Sequence, residues 1–108
     1  MRVNLIAEIG WNHMGDMELA KEMIQAAKKN GADFCKFQTW SEKKLKPGPW
    51  DTDGRREIYK QAELTEEKHH VLKKICDNLK IEFLTSVFNI KHLTFVSSVN
   101  SKTIKIPS

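Results

Sequence analysis

The sequence predicts an α/β fold made of parallel βα repeats, and three observations carry that prediction. Short runs rich in Val, Ile, Leu and Phe alternate with stripes of helical period along all 108 residues. Gly, Pro, Asp and Asn punctuate the junctions between them. Polar and charged residues gather in the C-terminal halves of the apolar runs, where a buried parallel strand would otherwise stay apolar.

The first run, "VNLIAEI" (3–9), stops at Gly10 and reads as a strand. "GDMELAKEMIQAAKKNG" follows. There Asp16 suits an N-cap, Leu19, Met23, Ile24 and Ala27 form a helical stripe, and Gly31 suits the stop. "ADFCKFQT" (32–39) is a second strand. Residues 40 to about 63, with "KPGPWDTDG", read as a long irregular loop because Pro and Gly oppose regular structure. Thr65 then caps a helix with Glu66 and Glu67 in its first turn and Leu72, Ile75, Cys76 and Leu79 along its buried stripe. "IEFLTSVF" (81–88) is a third strand, "NIKHLTFVSSV" (89–99) a shorter helix, and "KTIKIPS" (102–108) a fourth strand. Strand and helix in strict alternation imply right-handed βαβ units around a parallel sheet. An open doubly wound sheet and a barrel both satisfy that order. A complete (β/α)8 barrel takes about 250 residues, so this chain supplies about half of one.

Composition narrows the class. Forty per cent hydrophobic and 30% charged residues are those of a folded domain, here a single one spanning 1–108. The net charge of +4 is spread over helices and loops without an Arg-rich arm, so no nucleic-acid partner is expected. Nor is a membrane partner, since no apolar stretch approaches a span. Cys35 and Cys76, without paired spacing, read as buried thiols of a reducing compartment, and the expected location is cytoplasmic.

A lone buried charge costs several kcal/mol unless it is paired or opens on a cleft. Yet Glu8, Lys36, Gln38, Thr85, Ser86, Lys105 and Ser108 all fall near strand ends. In both candidate architectures the ligand site lies at the carboxyl ends of the strands. One polar pocket with two ammonium groups, one carboxylate and several hydroxyls is therefore expected, suited to a small multiply charged anion such as a carboxylate-phosphate. Each residue also has a plainer reading: Glu8 pairs with Lys36 or Lys105, and Thr85 is an ordinary strand residue. His13, beside Asn12 in the loop after the first strand, is placed facing the pocket. Trp11, Trp40 and Trp50 lie in loops after strands one and two, as a cover for the core or as faces for a sugar. No metal site is expected. "DTDG" lacks the carboxylates of a calcium loop, His69 and His70 point about 100° apart on a helix, and His92 reads as a solvated helix residue.

"IAEIGWNHMGDMELAKEMIQAAKKNGADFCKFQT", "LTEEKHHVLKKICDNLKIEFLTSVF" and "IKIPS", in that order and spacing, resemble the N-terminal part of the sialic acid synthases, a family that includes N-acetylneuraminate, legionaminic and pseudaminic acid synthases. The resemblance implies a TIM barrel followed by an antifreeze-protein-like domain in a homodimer, of which this chain holds only the first part of the barrel. It implies condensation of phosphoenolpyruvate with an N-acyl amino-sugar aldehyde, such as N-acetylmannosamine, to a nine-carbon 2-keto acid. A divalent metal, manganese or magnesium, would polarise the aldehyde, with ligands outside this chain.

Carried over by position, Glu8 would meet the reacting sugar end, and Lys36 and Lys105 would grip the carboxylate and phosphate. Ser86 and Ser108 would contact phosphate, and Asn12 and His13 match the Asn-His of the first loop. Trp50, Asp51 and Asp53 are candidates for sugar contact. The chain departs from the family where "TSVF" replaces "STPF", putting Val87 in place of a proline, and at Pro107, where Gly or Ala is common. The fragment alone is expected to be inactive. A non-catalytic anion-binding module, or a partner for a complementary half-barrel, is the alternative.

Overall fold

A computed structural model describes residues 2–99 and 102–107. Three parallel strands form one sheet in the order β1 (Ile6–Gly10), β2 (Phe34–Thr39), β3 (Glu82–Val87). Helix α1 (Met17–Lys29) joins β1 to β2, α2 (Arg55–Ala62) and α3 (Glu66–Leu79) join β2 to β3, and α4 (Ile90–Val99) follows. The predicted fourth strand is a single bridge. Lys105 donates its N–H to the Thr85 carbonyl at 3.1 Å and accepts from the Val87 N–H at 3.2 Å, opposite Ser86. The stretch 40–63 is likewise not wholly irregular. It holds two short 3-10 turns, Glu42–Lys44 and Pro49–Asp51, and then α2. Helix α2 starts immediately after Gly54, where the turn chemistry ends.

The caps fall where side-chain chemistry placed them. Asp16 Oδ1 accepts from the Glu18 and Leu19 N–H groups at 2.9 and 3.2 Å, and Thr65 Oγ1 accepts from the Lys68 N–H at 3.2 Å. Each satisfies donors that a helix start leaves unpaired. The core lies on one face of the sheet. Ala20 and Ile24 of α1 and Leu72 and Cys76 of α3 pack against Cys35, Phe37 and Phe83, all essentially without exposure. Phe37 and Phe83 stack at 5.6 Å, and Phe95 of α4 meets His69 edge-on at 5.3 Å on the same side. With α1, α3 and α4 on that side, the alternate residues of each strand form a second face that no described helix covers.

Gly15 shows how the loop after β1 is held. Its φ of 83° lies in the left-handed region, and a Cβ there would stand 2.1 Å from the carbonyl oxygen of Gln61. Only glycine lets this loop seat against the end of α2.

Candidate active site at the carboxyl ends of the strands

Register places the polar strand residues in two rows. Glu8 lies opposite Lys36, which lies opposite Leu84; two residues on, Gln38 lies opposite Ser86, which bridges to Lys105. Cross-strand partners in a parallel sheet point to the same side, and residues two apart do too. Glu8, Lys36, Gln38, Ser86 and Lys105 therefore share the uncovered face. Between Glu8 and Gly10 the register slips by one residue, a bulge that ends the pairing of β1 just past the carboxylate.

Lys36 Nζ donates to Glu8 Oε1 at 2.9 Å, the plainer pairing anticipated for Glu8. Glu8 keeps 51% of its side chain exposed against 17% for Lys36, so the carboxylate faces solvent and the ammonium is the better-held partner. Lys105 Nζ donates to the carbonyl of Ile106 at 2.9 Å. Lys36 pairs with Leu84 and Lys105 with Ser86, so with strands about 4.8 Å apart and a rise of about 3.3 Å per residue the lysine backbones stand about 12 Å apart, on either side of β3.

Thr85 departs from this set. Its hydroxyl faces the helix layer, 2.8 Å from Thr39 Oγ1, which is in turn 2.8 Å from His69 Nε2. His69 Nδ1 is 2.7 Å from the Thr65 carbonyl and must carry the proton there, so Nε2 accepts from Thr39. Burial keeps the ring neutral by pushing its pKa below the usual histidine value. The two hydroxyls of "TS" thus separate: Ser86 to the face it shares with Lys36, where it is itself buried at 4% exposure, and Thr85 to the helix-covered core.

His13 does not face the cleft. It is fully buried beside Phe37 and its Nδ1 accepts from the Gly15 N–H at 2.9 Å, while burial and then Lys68 lower its pKa. Asn12 is exposed, and its amide donates to the Ile9 carbonyl at 2.9 Å. Asp51 accepts from the Gly48 N–H at 2.9 Å and from Arg56 Nε at 2.6 Å, and both hold its carboxyl below the usual range. Asp53 is held likewise by Arg55 at 2.8 Å. These two aspartates staple the loop. Ser108 lies outside the described residues.

Beside the charged rows, and sharing Gln38 with them, is a cavity of about 610 Å³. Trp11, Trp40, Trp50, Tyr59, Phe88 and His92 line it. His92 is half-buried there, not solvated as the sequence suggested, and its Nδ1 is buried without a partner. Sequence reasoning missed Tyr59, Phe88 and His92. The Phe that ends "TSVF" was their one legible signal, since Tyr59 reaches the cavity only through the unforeseen α2. Among the described residues no three His, Cys, Asp or Glu side chains converge as a metal site.

Parallel βα units with polar side chains gathered at their carboxyl ends define an α/β protein. The sequence profile of the NeuB family matches residues 23–108, and the chain belongs to that family. It is 38% identical to the N,N'-diacetyllegionaminic acid synthase of Legionella pneumophila over 96% of its own length and 32% of that protein. It is 32% identical to the pseudaminic acid synthase of Helicobacter pylori, covering 96% of this chain and 34% of that one. The N-acetylneuraminic acid synthetase of Leptospira borgpetersenii, solved with citrate, superposes with a TM-score of 0.85 at 27% identity, over 98% of this chain and 36% of that one. The chain spans about a third of the length of the curated relatives it matches.

Proposed function

We propose that this chain forms the opening βα units, about half, of a (β/α)8 barrel. In that barrel it supplies the anion-gripping side of a site that condenses phosphoenolpyruvate with an N-acyl amino-sugar aldehyde to a nine-carbon 2-keto acid. The observation that carries the reading is the shared face of Glu8, Lys36, Gln38, Ser86 and Lys105 at the strand ends. Lys36 and Lys105 would neutralise the carboxylate and phosphate as point charges, and the Ser86 hydroxyl would donate to an anionic oxygen. Glu8 would stand at the reacting aldehyde, where the oxygen gains a proton as its carbon is attacked. Anion binding would draw Lys36 away from Glu8, so the ion pair is the resting arrangement of the site.

The divalent manganese or magnesium ion that the sequence resemblance implies does not fit the described residues, and its ligands would come from outside this chain. The full protein would work in the cytoplasm as a homodimer. The βα units of this chain alone are expected not to turn over phosphoenolpyruvate with N-acetylmannosamine, because they would supply only one side of the site. Titration calorimetry of phosphoenolpyruvate into the chain and into Lys36→Ala tests the reading. A loss of affinity of tenfold or more supports it, and equal heats overturn it.

A second reading, an anion-binding or assembly module, is favoured by one observation. Among the described strands β1 pairs with β2 alone, and Val3, Leu5 and Ile6, before and at its start, are exposed. Such an edge is a template for another strand.

A further inference from the structure

Among the described residues His13 and His69 are fully buried, and they differ in how their nitrogens are partnered. His69 has both engaged, on the Thr65 carbonyl and the Thr39 hydroxyl. His13 accepts the Gly15 N–H at Nδ1, so its neutral ring carries the proton on Nε2, and that N–H is buried without an acceptor. A buried donor in this state is rare and marks a place where the fold stores strain. The loop around it is strained as well. Met14 has a φ of 52°, in the left-handed region that non-glycine residues seldom adopt, and Gly10 and Gly15, at 59° and 83°, flank the loop as natural hinges. The N–H groups of Asn12, Met14 and Gly15 all bond within residues 9–15, so the buried His13 ring is what ties this loop to the core. At the head of the loop Trp11 meets Trp40 edge-on at 6.4 Å and Tyr59 at 6.1 Å.

We infer that the loop 11–15 is an acid-released latch, held closed by the neutral His13 ring and opened when that ring takes a second proton, which withdraws Trp11 from Trp40 and Tyr59 beside the carboxyl ends of the strands. Protonation puts a hydrogen on Nδ1, at which the Gly15 N–H already points, so an accepted bond becomes an encounter of two donors. It also buries a charge with nothing to balance it. Phe37 of β2 is apolar, Lys68 of α3 carries the same sign, and α2 approaches the loop with the Gln61 carbonyl. Asp16, at the head of α1, is engaged with the Glu18 and Leu19 N–H groups. Burial and then Lys68 lower the pKa of the closed ring, whereas a ring released to solvent takes its proton near pH 6.5. The open loop therefore binds more protons than the closed one. Its share rises as pH falls below about 6.5, by up to about tenfold per unit. The latch goes beyond the proposed function and does not depend on which ligand the site takes.

Amide exchange followed by NMR from pH 7.5 to 5 tests the latch. The Gly15 exchange rate, divided by its intrinsic rate at each pH, gives the fraction of open loops. That fraction is expected to rise up to about tenfold per unit below pH 6.5, with the His13 ring protons and the Trp11 indole N–H shifting over the same range. Ile24 and Leu72, in the core, should stay far better protected than Gly15 throughout. His13→Asn keeps an acceptor two residues before the Gly15 N–H, as in an Asx turn, and has no proton to gain. It should hold the loop closed, with the open fraction changing less than twofold over the range. Equal protection of Gly15 and Leu72 at every pH overturns the inference, since only global unfolding would then expose the ring. So does protonation of His13 that leaves Trp11 and Gly15 exchange unmoved, or an undiminished pH dependence in His13→Asn. Where His13→Asn fails to fold, the wild-type exchange profile decides the matter alone.

Discussion

The two faces of the sheet both carry polar groups and treat them in opposite ways. On the helix-covered face, Thr39, Thr85 and His69 are neutral, essentially without exposure, and bonded to one another in a closed series ending on the Thr65 carbonyl. On the open face, Glu8 and Lys36 are charged, partly solvated and paired with each other, while Lys105 donates to its neighbour's carbonyl. A saturated network holds structure and has nothing to spare. A network of charges with water for company can exchange its partners for a ligand. Residues 85 and 86 differ in position by one pleat, and that pleat decides which kind of network each hydroxyl joins.

Mutations that strike the covered face should cost the most. Phe37→Ala empties the centre of the Phe37–Phe83 stack and is expected to destabilise the fold by about 3–5 kcal/mol in urea titration. Thr39→Val keeps the volume but strands His69 Nε2 and leaves the Thr85 hydroxyl only its 3.4 Å bond to the Ser86 carbonyl, for an expected loss of about 1–3 kcal/mol. If Thr39→Val proves neutral, the covered network is ornamental and the contrast between the faces fails.

Acid should act on the same side. His13 and His69 are buried with pKa values lowered below 6.5, so the unfolded chain binds protons that the folded chain refuses. Their contribution is complete above pH 6.5 and is lost as pH falls below it, by up to about 1.4 kcal/mol per pH unit for each ring. Charges facing these rings are Lys68 at His13, and His92, His70 and Glu66 at His69. Urea midpoints measured from pH 7.5 to 5 should fall on the acid side, and His69→Gln should flatten the slope.

The smallest effect on stability belongs to the open face. Lys36→Ala breaks a half-exposed ion pair and should move the urea midpoint by less than about 1 kcal/mol, while still removing anion affinity. A large stability loss there would mark the Glu8–Lys36 pair as structural.

Much of this arrangement was legible before any coordinates. The capping of α1 by Asp16 and of α3 by Thr65, the Leu72–Cys76 stripe and the apolar strand cores are local consequences of side-chain geometry. What failed was non-local. The helix α2 inside 40–63 was hidden behind a Pro- and Gly-rich start. Its position depends on Arg56, which ties back to Glu42 at 2.9 Å and Asp51 at 2.6 Å. His13 looked like a ligand group because its loop sits above a strand end; packing against Phe37 and the Gly15 bond turned it inward.

By itself the sequence determined the order β1, α1, β2, α3, β3, α4, the caps of α1 and α3, and the collection of charges at the strand ends, since periodicity and capping act over a few residues. Only the tertiary structure decided which face each polar strand residue occupies, and that three distant tryptophans enclose one cavity. Strand pairing and register settle the first, and the Arg56 ion pairs, with Gly15 seated on α2, settle the second. Both are contacts between segments far apart along the chain, and no short window of residues encodes them.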